Sequence, residues 1–240
     1  MNWKKLLKLN MSNFLDTNTA PLEGEAPQSI FGQGFEVGNW PGYDYPLACR
    51  VIRDTDAKIL YPVMKRSAKH LKGYIGWAKY APSWDFKTVQ QFVKDHANDE
   101  WPRFHLIFSI GKQVVGFGSL APVGSSRDVQ VALWVALGHQ GHGIGSWIVT
   151  VLEWYAFHVF GFDNVYYQHD SSNRASGALP SKLGFDFSHS FDQKQKDGTK
   201  ETGFWYSWKK QKPDGIPPGF IDTGEIEKWS DIHFPWTSLV

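Results

Sequence analysis

A chain of 240 residues suits one domain with extensions or two small ones, and 42% hydrophobic with 20% charged residues is an ordinary globular balance that can bury a core. Twenty-five Lys and Arg against 24 Asp and Glu leave a formal charge of +1, which excludes a global field that would gather nucleic acid. A single cysteine, Cys49, excludes an internal disulfide and Cys-based metal clusters, and no apolar run reaches the ~18 residues that cross a bilayer. A reducing, cytoplasmic setting is the expectation.

The first residues, MNWKKLLKLNMSNFL, lack the continuous apolar centre of a secretory signal and are helix-periodic instead. Trp3, Leu6, Leu7, Met11, Phe14 and Leu15 share one face, with Lys4, Lys5 and Lys8 elsewhere. Residues 16–46 are rich in Gly, Pro and Asn without a sustained period and read as an irregular arm. A first strand is expected in LACRVIRDTDA, with Asp54 or Thr55 capping a helical segment over AKILYPVMKRSAKHLKGYIGWAKY that breaks near Pro62 and Gly73. A second helix, capped at Ser83, carries Phe86, Val89, Phe92 and Val93 at helical spacing.

RFHLIFSI, a Gly-Lys turn and QVVGFGSLAP form a hairpin, and VQVALWVA is a further strand. A long helix follows, its stripe of Ile144, Trp147, Ile148, Val151, Leu152, Tyr155 and Val159 facing a sheet and its end at Gly161. NVYYQHDSS reads as a strand, NRASGALPSKLG as a short helix or turn, and FDFSHSF with ETGFWYSWKK as a closing hairpin around an Asp-Gly turn. The tail from Gln211 to Val240 is irregular and too aromatic for a solvated linker, so it is expected to wrap the domain or a neighbouring chain. The order predicts a mixed α/β domain with one central sheet of about six to seven strands over residues 47–210, flanked by extensions 1–46 and 211–240.

Three glycines, Gly141, Gly143 and Gly145, mark the junction of strand and helix in QGHGIG. Glycine is a poor helix former, by about 1 kcal/mol against alanine, so bare backbone there implies close approach of a ligand. A helix start offers unbonded amides and a partial positive charge, a seat for a phosphate. GHGIGS lacks the last glycine of a dinucleotide fingerprint, and no Gly-Lys-Ser/Thr triplet of a P-loop occurs. What stands is Gln-x-x-Gly-x-Gly at Gln140, Gly143 and Gly145. His139 and His142 have the spacing of a metal pair, but without Cys or a carboxylate in register they read as loop histidines beside phosphate, and no metal is expected.

That loop resembles the diphosphate loop of the GNAT superfamily of acyl-CoA-dependent N-acyltransferases. Downstream, NRASGALPSKLGF is similar to the family's second segment, at Asn173, Ser176, Lys182, Leu183, Gly184 and Phe185, and HLKGYIGWA with VVGFGSL is similar to the branch that acetylates protein amino termini and small amines, including the ribosomal-protein acetyltransferases. The likeness covers about Leu47 to Lys210. It implies acetyl-CoA as acetyl donor and a primary amine as acceptor, on a protein terminus, a peptide or a small molecule.

It further implies that the loop around Gln140, Gly141, His142, Gly143, Ile144, Gly145 and Ser146 takes the diphosphate through its amides. Backbone groups of Trp134 and Val135, on a strand that splays from its neighbour, would pair with the pantetheine arm, and Asn173 would hold that arm from the other side. The family's usual tyrosine acid falls on Pro180, so Ser176 is the acid candidate, with packing or capping as its alternative. For a base, Gln130 stands where some relatives have Glu and cannot take a proton. His169 and Asp170 end the next strand on opposite faces, so at most one points inward; exposure to solvent is the ordinary fate of such a histidine, and Glu201 is a weaker candidate. Pro180, Gln130 and the two extensions also fit a second reading, a non-catalytic protein on the same fold that docks in an assembly or a homo-oligomer through its termini.

Overall fold

The computed structural model describes residues 35–39, 46–99, 103–123, 127–194 and 200–214. The amphipathic start and most of the aromatic tail lie outside these residues, as does the side chain of Glu201. Eight strands form one sheet: β1 (Phe35–Asn39), β2 (Pro46–Val51), β3 (Phe104–Ile110), β4 (Gln113–Pro122), β5 (Asp128–Val135), β6 (Asn164–Asp170), β7 (Asp186–Lys194) and β8 (Lys200–Gln211), in the order β1-β2-β3-β4-β5-β6-β8-β7. All neighbours are antiparallel except β5 and β6. The mixed fold is the expected one; the extra strand is β1. It comes from the arm read as irregular, where FEVGN is too short to show alternation before it pairs with β2.

Helices α1 (Ala57–Leu71) and α2 (Phe86–Ala97) cover one face, and α3 (Ile144–Trp154) with α4 (Arg174–Lys182) the other. Helix α1 runs unbroken through Pro62, although a proline there removes the amide that would bond to the Lys58 carbonyl. Asp56, ion-paired with Arg50 at 2.6 Å, precedes α1 without capping it by a side-chain bond. The cap of α2 is Asp85 rather than Ser83, its carboxylate accepting from Thr88 N at 2.7 Å, while Ser83 closes a short turn. Helix α3 is nearly all buried, and its end widens into one π turn over Tyr155–Val159 before Gly161 at φ 67°.

Two glycines set how closely α3 lies on the sheet. A Cβ on Gly118 would stand 2.7 Å from Ile148 Cγ2, and one on Gly116 2.7 Å from Ile148 Cδ1. Only bare backbone in β4 lets α3 reach this depth, which fixes where the start of α3 meets the end of β5.

Candidate functional site

Strands β5 and β6 pair only from Asp128↔Asn164 to Val131↔Tyr167, although β5 runs on to Val135 and β6 to Asp170. Each continues on its outer side, β5 against β4 up to Val135↔Gly116 and β6 against β8 up to Asp170↔Trp205. The two therefore part like the arms of a V, as expected from the sequence.

Backbone parity decides which groups face the gap. Val123 N bonds to Asp128 O and Ala136 N to Val115 O, so the even residues of β5 spend their backbone groups on β4 and the odd ones face β6. Leu133 and Val135 present N–H and C=O to the gap, and Trp134 does not. The expectation for Trp134 is corrected on that ground; Leu133 takes its place, and the sequence carried no signal for it because the hydrogen-bond register with β4 decides the parity. By the same count, with Ser171 N bonded to Phe204 O, Gln168 faces the gap from β6. The Trp134 side chain instead turns to the α1–α2 face, stacked at 6.1 Å and 11° on Phe117 and edge-on at 5.5 Å to Trp77.

Beyond β5 the loop turns on glycines: Gly138, Gly141 and Gly143 have φ of 89°, 78° and 78°. Gly143 is the residue before α3, and no side chain caps that helix start. The first amides, from Ile144 to Ser146, thus have neither an intrahelical acceptor nor a capping side chain. A Cβ on Gly141 would meet nothing within 4 Å, so space beside the loop is open. Gly145 is ordinary helix, its Cβ position 3.4 Å from Leu179 Cδ1.

Gln140 braces the loop. Its Oε1 accepts from Gly138 N at 3.0 Å, and its Nε2 lies 2.7 Å from His70 Nε2 on α1 and 3.3 Å from Val135 O. Ser67 Oγ, also on α1, accepts from Leu137 N at 3.0 Å. The side chain of Ile144 is buried in the core, so it offers only its amide. His142 lies in the exposed part of the loop, and His139 is buried enough, with His142 adding to the effect, to lower its pKa. Among the described residues no three His, Cys, Asp or Glu side chains come together as a metal site.

A family model described as an acetyltransferase (GNAT) domain matches residues 47–186. The chain belongs to that family. No curated protein matches the chain. Solved structures similar to it include a ribosomal L7/L12 alpha-N-protein acetyltransferase in complex with coenzyme A, at TM-score 0.59 and 14% identity over 71% of this chain and 96% of that one. A ribosomal-protein-S5-alanine acetyltransferase from Vibrio fischeri matches at TM-score 0.59 and 17% identity over 77% and 100%. A spermidine N-acetyltransferase from Vibrio cholerae, in complex with CoA and spermine, matches at 0.56 and 14% over 69% and 95%. At these identities the likeness is one of fold.

Within this GNAT domain the second segment caps α4. Asn173 Oδ1 accepts from Ser176 N at 3.1 Å, which leaves Asn173 Nδ2 for an outside acceptor. Ser176 itself does not cap; its Oγ lies 2.7 Å from the Tyr167 hydroxyl, at the mouth of the gap. Tyr167 is almost wholly buried, and that burial pushes its phenol up to about 12 against the opposing effect of the Ser176 bond. The sequence reading missed this tyrosine, although it alternates with His169 on the face that carries Ser176. Pro180 is buried inside α4 and carries no acid, as its side chain dictates.

His169 and Asp170 do lie on opposite faces. His169 is buried, not exposed as an ordinary strand-end histidine would be, because the α4 backbone at Gly177 lies on its ring: a Cβ there would stand 2.9 Å from His169 Cε1. The Trp208 indole N–H donates to His169 Nε2 at 3.2 Å, so Nδ1 carries the proton and donates to Asp170 O at 2.9 Å. Both ring nitrogens are engaged, leaving no lone pair for an amine proton. Asp170 faces the α1–α2 side; its Oδ1 accepts from Ser172 N and Oγ at 2.7 and 2.6 Å, and Oδ2 remains. Gln130 lines the same side and stays a non-ionisable neighbour.

A cavity of about 240 Å³ occupies the gap and opens beneath the α1–α2 connection. It reaches Asn173, Ser176 and Tyr167 on one side and Gln130, Trp134 and Asp170 on the other, so it passes through the sheet where β5 and β6 part.

Proposed function

We propose that this chain transfers an acetyl group from acetyl-CoA to a primary amine, on a protein terminus, a peptide or a small molecule. The observation that carries the reading is the parting of β5 and β6 beyond Val131 and Tyr167, directly beside a helix start left uncapped by glycine. The residues present fit the donor on three counts: open space at Gly141, inner strand edges with unspent backbone groups, and Asn173 Nδ2 at the far edge.

In this reading the amides of Gly143 to Ser146 receive the diphosphate, with the positive end of α3 behind them. Gln140 holds the loop in the shape that aims those amides and makes no contact of its own. Leu133, Val135 and Gln168 bind the pantetheine amides as a strand would, and Asn173 Nδ2 closes the far side. Bound acetyl-CoA supplies the thioester carbonyl that the amine attacks. Ser176 Oγ holds a proton for the leaving sulfur, Tyr167 O–H stands behind it to replace that proton, and the proton that the attacking nitrogen sheds on becoming an amide returns to this pair. Asp170 Oδ2, on the acceptor side, draws in the ammonium form and takes up its proton on the way to attack. His169 positions Asp170 through its carbonyl. We assign residues 47–210 as the transferase unit, extended at one edge by β1.

Full-length protein titrated with acetyl-CoA in a calorimeter tests this directly. A saturable heat and a raised melting temperature are expected, followed by CoA release when amines are added. No heat and no stabilisation at millimolar acetyl-CoA would overturn the reading and favour a non-catalytic protein on the same fold.

A further inference from the structure

We infer that the acceptor is a small monoamine carried on one aromatic or equally broad apolar group and bearing no carboxylate. This narrows the acetyl-transfer reading and rests on it. The acceptor half of the cavity has broad apolar walls from Trp77, Phe117, Trp134 and Trp205, with Tyr74 exposed at the mouth. Phe117 is stacked on both Trp134 and His105, and Trp134 is edge-on to Trp77, so these rings form a fixed aromatic wall against which a planar group packs.

The polar groups among these walls accept rather than donate charge. Asp170 is the only carboxylate among the described lining residues, and no Lys or Arg joins it. Gln130 and Gln168, on the two sides of the gap, each have a buried Oε1 without a hydrogen-bond partner. Those oxygens are turned away from the open space, so the charged group that an ammonium meets in the cavity is the Asp170 carboxylate. His96, the titratable lining group on α2, is kept neutral by burial and by the neighbouring His105, so it does not repel a cation.

The same features reject other amines. An amino acid would bring its carboxylate beside Asp170 with no cation to meet it, and a polyamine would bury a second ammonium against aromatic walls with no second carboxylate. The whole gap measures about 240 Å³, already below the ~300 Å³ at which pockets for drug-sized ligands begin, and the donor takes part of it, so the acceptor half has room for no more than one ring with a short amine arm.

The experiment uses full-length protein, saturating acetyl-CoA and a thiol reagent that follows CoA release. Tryptamine and phenethylamine are compared with tryptophan, phenylalanine, spermine and a short peptide with a free amino terminus. The arylalkylamines are expected to exceed the others by about 30-fold or more in kcat/KM. Trp205→Leu is expected to raise the KM for tryptamine about tenfold while the calorimetric affinity for acetyl-CoA stays the same; its melting temperature confirms that it folds, and the amine panel needs no variant. Equal or better turnover of tryptophan, spermine or the peptide overturns the inference and leaves acetyl transfer standing. Acetyl-CoA binding with no turnover of any amine also overturns it, whereas no acetyl-CoA binding removes the reading beneath it.

Discussion

Gly143 and Gly145 stand two residues apart in one loop, and the structure gives them opposite responses to alanine. Gly143 has φ 78°, a left-handed conformation that costs a residue with a Cβ roughly 1–2 kcal/mol. Restricting the unfolded chain returns about 0.4–1 kcal/mol, so Gly143→Ala should lose about 1 kcal/mol, a fall of ~2–4 °C in Tm for a chain of this length. If the loop relaxes to relieve the strain, the amides after it turn away from the diphosphate. Losing one hydrogen bond to a charged group, about 1.5–3 kcal/mol, weakens acetyl-CoA at least about tenfold. Gly145 is helical, and its new methyl would lie 3.4 Å from Leu179 Cδ1, 3.8 Å from Val135 Cγ2 and 3.9 Å from Leu133 Cδ1, ordinary contact with three aliphatic groups. Gly145→Ala should therefore gain about 0.5–1 kcal/mol from helix propensity and keep its cofactor affinity. Thermal unfolding and calorimetry with acetyl-CoA on both variants decide the matter. Equal losses of affinity in the two would show that the loop does not work through backbone conformation at Gly143, and the account of the diphosphate seat would fall.

Ser176→Ala should lower kcat by about 10²-fold with little change in the affinity for acetyl-CoA, and Tyr167→Phe should lower it less while shifting the alkaline limb of the pH profile; unchanged profiles in both would remove the proton path. Burial holds the pKa of His96 down to about 4 in the folded protein against 6.5 as its ordinary value, so the unfolded chain binds the extra proton and stability is lost as pH falls from about 6.5 towards 4. His139 and His158 are shifted the same way. His96→Phe should flatten the dependence of Tm on pH in that window relative to the parent, and an unaltered slope would refute the assignment.

The central elements were legible because their periods are unambiguous. The stripe from Ile144 to Val159 and the hairpin of β3 and β4 follow directly from apolar spacing, and the order of elements placed QGHGIG between a strand and the start of α3. Caps were less legible: Ser83 and Asp85 are both good capping residues two positions apart, and only the Thr88 contact separates them. Strand β1 was hidden because five residues in a Gly-rich arm carry no period of their own. At the site, a residue's type suggested its role where its environment decides it. His169 has the chemistry of a base until Trp208 and the Asp170 carbonyl take both nitrogens, and Tyr167 has that of a core residue until Ser176 comes within 2.7 Å. Trp208 lies 39 residues from His169 and Ser176 lies 9 from Tyr167, so no local pattern announces either contact.

The gap between β5 and β6 is held open by the pairings on either side of it. Strand β5 is bound along its whole length to β4, whose Gly116 and Gly118 let α3 lie flush on the sheet, and α3 starts where the glycine loop leaves β5. Strand β6 is bound as fully to β8, and α4, capped by Asn173, packs over it through Gly177 and His169. Closing the gap would need one of these two bodies to swing, at the expense of packing that is already complete. Backbone groups of Leu133, Val135 and Gln168 are thus kept unspent by the rest of the fold, with only the Gln140 amide reaching Val135 O at 3.3 Å. In the proposed reaction a molecule that brings amides at strand spacing would pair with these groups as a neighbouring strand does. We propose that selectivity for the pantetheine arm comes from these backbone groups more than from the side chains beside them.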